Sequence, residues 1–197
     1  MPGTEITSRK IADHIGAEIG GVDLRRELAD ETIADIRRNQ MPFEFRQAIP
    51  ADASTVGTLA FALTEEICAR TNAQHFDIDL EGTIKRCEEL LSAGHYAAII
   101  ACSERFPIAV ATFTETYALY AGGKVGIIQE FFVSPKFRST GVGSKLIGAV
   151  RDYGLKRGWS CMELCTPPLT EFERTLQFYK GNGPIPVDGR KMRQSIR

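Results

Sequence analysis

The sequence predicts a mixed α/β domain, and three observations carry that expectation. From residue 43 onward, short apolar stretches alternate with segments whose apolar residues recur at helical spacing, in the order β-α-α-β-β-β-α-β-α-β. Two of the extended stretches, 96–102 and 108–117, are separated only by a turn at 103–107, which makes them an antiparallel pair. A glycine-containing loop then joins the strand at 125–133 to the helix at 141–155.

The chain has 197 residues, a formal net charge of −1, 43% hydrophobic and 25% charged residues. That length suits one ordinary domain of ~100–200 residues and can bury a core. The near-zero net charge excludes a globally polybasic nucleic-acid binder. No apolar run approaches the ~18–20 residues that span a bilayer; the longest, such as 97–102, are strand-sized. The start, MPGTEITSRK, carries charges where an export signal would be apolar, so a cytoplasmic protein without membrane or nucleic-acid partners is expected. The five cysteines, Cys68, Cys87, Cys102, Cys161 and Cys165, are odd in number and sit in apolar contexts, so they are expected to be reduced core thiols.

Residues 1–42 form an extension to the domain at 43–197. Within it, Gly16, Gly20 and Gly21 punctuate two short extended pieces, and Asp30 can cap a helix whose Ile33 and Ile36 share a face and which ends near Arg38. This piece is too small to own a core, so its apolar face must pack on the domain or on a second chain, for which a symmetric homodimer is the simplest arrangement.

In the domain itself, 43–46 is the first strand, and a turn at Pro50 leads into a helix. Its Val56, Leu59, Ala60, Leu63 and Ile67 recur at i, i+3, i+4, i+7 and i+11. A second helix carries Leu80, Ile84, Cys87 and Leu91. After the strands at 96–102, 108–117 and 125–133 comes a helix with Leu146, Val150 and Tyr153 on one face. A strand at 160–165, a helix lined by Phe172, Leu176 and Tyr179, and a tail at 190–196 that can return as a last strand complete the order.

The stretch IIQEFFVSPKFRSTGVGSKLIGAV (127–150) is a strand–loop–helix anion site by its pattern. Backbone N–H groups of a first helical turn have no intrahelical partners, and the helix dipole adds positive potential there. Gly141 and Gly143 permit close approach of a phosphate, Ser139, Thr140 and Ser144 offer hydroxyls, and Lys136 and Arg138 bring positive charge. The spacing fits neither a P-loop nor a dinucleotide fingerprint, since Gly143 is followed by Ser144-Lys145-Leu146.

Arg138-x-x-Gly141-x-Gly143, within VSPKFRSTGVGSKLI, resembles the acyl-CoA pyrophosphate loop of the GCN5-related N-acetyltransferases (GNAT family), and the resemblance extends over about 43–197. It implies an acyl-CoA N-acyltransferase fold, a central mixed and mostly antiparallel sheet flanked by helices. It implies acetyl-CoA as the acyl donor, held by Phe132, Val133, Arg138, Ser139, Thr140, Gly141, Val142, Gly143 and Ser144, and a direct transfer to an amine, small-molecule or protein, with no metal. ERTLQFYKGNG (173–183) resembles the family's penultimate helix, which implies that Tyr179 protonates the leaving thiolate; a phenol with pKa near ~10 is protonated at pH 7. Packing alone is the other role open to Tyr179. Gly183 is followed by Pro184 where the family has phenylalanine, so a distorted closing hairpin is expected.

Glu130 lies on an apolar strand among Ile127, Ile128, Phe131 and Phe132. Burial of a carboxylate raises its pKa toward that of a useful base, and relatives carry an acid here that takes the proton of the acceptor ammonium. A solvent-facing position or a structural ion pair are the alternatives. The wider alternative to catalysis is a non-catalytic module that binds or senses acyl-CoA.

HIGAEIGGVDLRRELADETIADIRR (14–38) resembles the first segment of the taurine-type 2-oxoglutarate-dependent dioxygenases. Their iron needs His-x-Asp and a distant histidine. His75-Phe76-Asp77 matches by letter, but only His14 and His95 remain as partners, and His95 follows too closely. The match is therefore read as coincidence, and the extension as non-catalytic.

Overall fold

Five strands lie side by side in one sheet in the order in which they occur along the chain. The computed structural model describes residues 7–10, 17–20, 43–71, 79–167 and 169–187. A two-stranded antiparallel ribbon pairs β1 (Thr7–Lys10) with β2 (Ala17–Gly20), matching the two extended pieces expected there. The expected helix near 30–38, the His75–Asp77 match and the tail strand at 190–196 lie outside the described residues.

The main sheet contains β3 (Phe43–Gln47), β4 (Ala97–Ser103), β5 (Phe106–Ala118), β6 (Gly123–Val133) and β7 (Trp159–Leu164). Neighbours are antiparallel except β6 and β7, which run parallel because helix α3 (Val142–Arg157) crosses between them. The β4–β5 hairpin turns through Glu104 and Arg105, both at positive φ, the twist that matches flanking strands. Helices α1 (Ala53–Thr71) and α2 (Leu80–Ser92) follow β3, and α4 (Leu169–Gly181), kinked at Phe172, is the last regular element among the described residues. Residues 184–187 after Pro184 carry no regular element.

Strand alternation sorts the core onto two faces. Ile99, Ala101, Phe113 and Ile128 meet Leu146 and Val150 of α3 on one face. Ala98, Ile100, Val110 and Phe132 meet Val56 of α1 and Leu91 of α2 on the other. Val56 is fully buried at the head of the predicted α1 stripe, whereas Leu63 and Ile67, two and three turns on, line a cleft. One expectation is corrected. Cys87 and Cys102 are buried, but Cys161 and Cys165 are exposed, because β7 is the edge strand and Cys165 lies past its end.

Trp159 pins the β6–α3–β7 crossover. Its indole packs against Phe113 and Tyr153 at centroid distances of 5.4 and 5.7 Å, and its Nε1 donates to Glu115 Oε1 at 2.8 Å. Glu115 also accepts two hydrogen bonds from Arg157, and this arginine, with help from Trp159, holds its carboxyl down at about 2. Room for the indole exists because Gly126 and Gly154 have no side chains; a Cβ there would come within 2.0 and 2.4 Å of it. Gly154→Ala should therefore lose ~1–3 kcal/mol of stability, seen as a lower denaturant midpoint. Gly148→Ala, on the same helix with nothing within 4 Å, is the control and should be neutral or stabilising. Equal midpoints for the two variants would contradict the packing argument.

Candidate active site

The site begins where two parallel strands part. β6 and β7 are in register only as far as Ile128 and Leu164, while β6 runs on to Val133. Among the described residues, that edge of β6 has no strand partner from Gln129 to Val133, and its backbone faces a cleft in place of a neighbour. The cleft has a volume of 480 Å³ and is closed by the C-terminal half of α1, the start of α3 and one face of α4.

A β-bulge sets what faces where. Thr112 pairs with Glu130 but Phe113 pairs with Ile128, leaving Gln129 without a partner on β5. The extra residue reverses the alternation: Ile128 belongs to the α3 face, whereas Phe132, four positions on, belongs to the α1/α2 face. Glu130 accordingly does not line the cleft. It lines a smaller cavity of 130 Å³ next to it, beneath α1 and α2. There its carboxylate accepts from Thr112 Oγ1 and from the Tyr96 phenol, and its backbone N–H donates to the same Thr112 oxygen at 3.1 Å.

At one end of the cleft lies the glycine loop. Ser139 and Gly141 take positive φ values of 66° and 86°, and α3 starts at Val142 without a side-chain cap. Its first N–H groups are thus left for an anion. Gly141, Gly143, Ser139 and Ser144 line the cleft together with Phe132, Val133 and Arg138. Two expected binding residues act differently. The Val142 side chain is buried in the core, so only its backbone is on offer, and the Thr140 hydroxyl donates to the Phe137 carbonyl at 2.7 Å.

Arg138 is held from both sides. Its Nε donates to the Val133 carbonyl at 2.9 Å, and its two terminal nitrogens grip Glu66 of α1 at 2.9 and 2.5 Å. The guanidinium in turn keeps the Glu66 carboxyl below its ordinary pKa. Arg70, one turn along α1, donates to the Glu171 carbonyl and stacks 3.9 Å from the Phe172 ring centroid, tying α1 to α4. From α4, Arg174 donates to Ser139 Oγ at 2.7 Å and so adds a second cation to the loop.

At the other side of the cleft stands Tyr179. It is 7% exposed, lines the cleft, and packs against Phe131 and Phe178 with centroids 5.9 and 5.3 Å away. Burial pushes its phenol above the ordinary value, so the hydroxyl is protonated at neutral pH. The arrangement joins a glycine loop at a helix N-terminus, a strand edge without a partner among the described residues and a buried, protonated phenol along one cleft. Among the described residues no cluster of His, Cys, Asp and Glu could hold a metal ion.

The model of the acetyltransferase (GNAT) family matches residues 58–183. An uncharacterised N-acetyltransferase of Archaeoglobus fulgidus is 40% identical over 55 residues, which is 28% of this chain and 37% of that protein. The uncharacterised N-acetyltransferase YhfO of Bacillus subtilis is 25% identical over 139 residues, 70% of this chain and 87% of its own length. Among solved structures, the fold is similar to that of the aminoglycoside N-acetyltransferase AAC(6')-Iy in complex with CoA, with a TM-score of 0.65 and 21% identity over 79% of this chain and 96% of that one.

Proposed function

This chain belongs to the acetyltransferase (GNAT) family and is an acyltransferase, and from that premise we propose that it binds acetyl-CoA in the 480 Å³ cleft and passes the acetyl group directly to the amine of a small molecule. The observation that carries this reading is the separation of β6 from β7 after Ile128, with the glycine loop at one end of the gap and Tyr179 beside it. The free β6 edge offers Phe132 and Val133 to the pantetheine arm, and one N–H there can polarise the thioester carbonyl. The pyrophosphate then falls to Ser139, Gly141, Gly143 and Ser144, with backbone N–H groups of Val142 and its neighbours and the charges of Arg138 and Arg174.

The donor supplies a thioester; the amine nitrogen forms the new C–N bond as the C–S bond breaks. Glu130 takes the proton that the acceptor ammonium must lose before it attacks, Tyr179 gives its hydroxyl proton to the departing thiolate, and the second proton, shed by the nitrogen as the amide forms, returns to the Tyr179 phenolate. A small-molecule acceptor is favoured by the aminoglycoside acceptor named for the similar AAC(6')-Iy structure. Residues 1–42 precede the family match and read as a non-catalytic extension that packs on the domain or on a second copy. A cytoplasmic location belongs to the same reading; among the described residues no helix is long and apolar enough to cross a membrane.

Gly143→Val tests the loop. A Cβ at Gly143 meets Phe178 at 3.1 Å and Val133 at 3.7 Å, and the rest of a valine side chain would project into the phosphate's approach. Acetyl-CoA affinity, measured by calorimetry on a variant with the parent's circular dichroism, should fall at least about tenfold, or ~1.4 kcal/mol. Parental affinity would place the donor elsewhere.

A further inference from the structure

The 130 Å³ cavity lies on the same sheet face as part of the donor cleft, and α1 and β6 line both. Along α1, Ala60 lines the small cavity and Leu63, three residues on, lines the cleft; along β6, Glu130 lines the cavity and Phe132 the cleft. Those steps are ~4.5 Å of helix and ~6.8 Å of strand. The two linings therefore lie about one helical turn apart, within the span of a small molecule.

The cavity is bipolar. Glu130 stands on its sheet side, fixed by Thr112 and Tyr96. Arg86 of α2 lines the same cavity, is exposed, and forms no ion pair among the described residues. Apart from the hydroxyls of Thr83, Tyr96 and Thr112, the rest of the lining is small or apolar, Cys87 and Ala60 included.

Resting on the reading of Glu130 as the group that meets the amine, we propose that the acceptor is a small primary amine that also carries an anionic group, with its ammonium at Glu130 and its carboxylate, or a like anion, at Arg86. Guanidinium presents a planar fork of donors that pairs with a carboxylate through two hydrogen bonds. A polyamine fits the same space badly, because its second cation would face Arg86. The cavity is little more than a quarter the size of the donor cleft, which suits a short chain between the two charges.

The test uses the full chain with acetyl-CoA and follows thiol release with matched acceptors: β-alanine and 4-aminobutanoate, their carboxamides, and putrescine. The amino acids should exceed their carboxamides and the diamine at least about tenfold in kcat/KM. In Arg86→Gln that preference should vanish through a raised KM for the acids, with the carboxamides unchanged. Carboxamides or putrescine turned over as well as the acids, or a preference that survives Arg86→Gln, would overturn the assignment while leaving acetyl transfer in place. No thiol release with any amine would sink acetyl transfer itself, and this acceptor class with it.

Discussion

Tyr179→Phe should slow acetyl transfer by about 10²–10⁴-fold, the usual contribution of a general acid, while acetyl-CoA affinity stays within about twofold of the parent's. The substitution removes one hydroxyl and keeps the ring that packs on Phe131 and Phe178, so the α4 face of the cleft survives. The sign of the pKa shift matters here. Burial raises the phenol pKa, so the proton is present across the neutral and mildly alkaline range and is there to be given to a thiolate. A kcat loss without a matching loss of affinity separates proton donation from packing. An unchanged kcat with the best acceptor would reduce Tyr179 to a wall of the cleft.

Glu130→Gln should cost most at the acid end of the pH–rate profile, by up to about 10²–10⁴-fold where the acceptor is almost wholly ammonium. Glutamine keeps the shape and can still accept from Thr112 Oγ1, but it takes up no proton. As the pH rises and the free amine becomes abundant, the two enzymes should converge. Parallel profiles for parent and variant would assign deprotonation to another group and leave Glu130 as a structural partner of Thr112 and Tyr96.

The residues that make the site differ in how far sequence spacing exposes them. Gly141 and Gly143 are legible because a loop between a strand and a helix has few other uses for that spacing, and Tyr179 because the helical period places it on one face with the buried Phe172 and the half-buried Leu176. Glu66 and Arg174 are not. The Glu66–Arg138 pair spans 72 residues and the Arg174–Ser139 contact 35, so neither leaves a local pattern. Only Glu66–Arg70, at i,i+4, hints that this face of α1 is charged.

The bulge at Gln129 is equally silent, because period-2 alternation reads 125–133 as one uninterrupted strand. Its consequence is functional: it assigns Glu130 to the smaller cavity and the Phe132 edge to the cleft. The expectation of burial for Cys161 and Cys165 failed for a related reason. Alternation puts Cys161 on a strand but cannot tell that β7 is an edge of the sheet among the described residues.

Acetyl transfer to an amine is tested most directly by steady-state release of thiol from acetyl-CoA, paired with mass analysis of the acceptor. Continuous thiol release that depends on the amine, with one N-acetyl product per thiol and none when the amine is omitted, is the expected result. Acetyl-CoA bound at the glycine loop with no turnover across a panel of small amines would contradict it and leave a binding module in place of an enzyme.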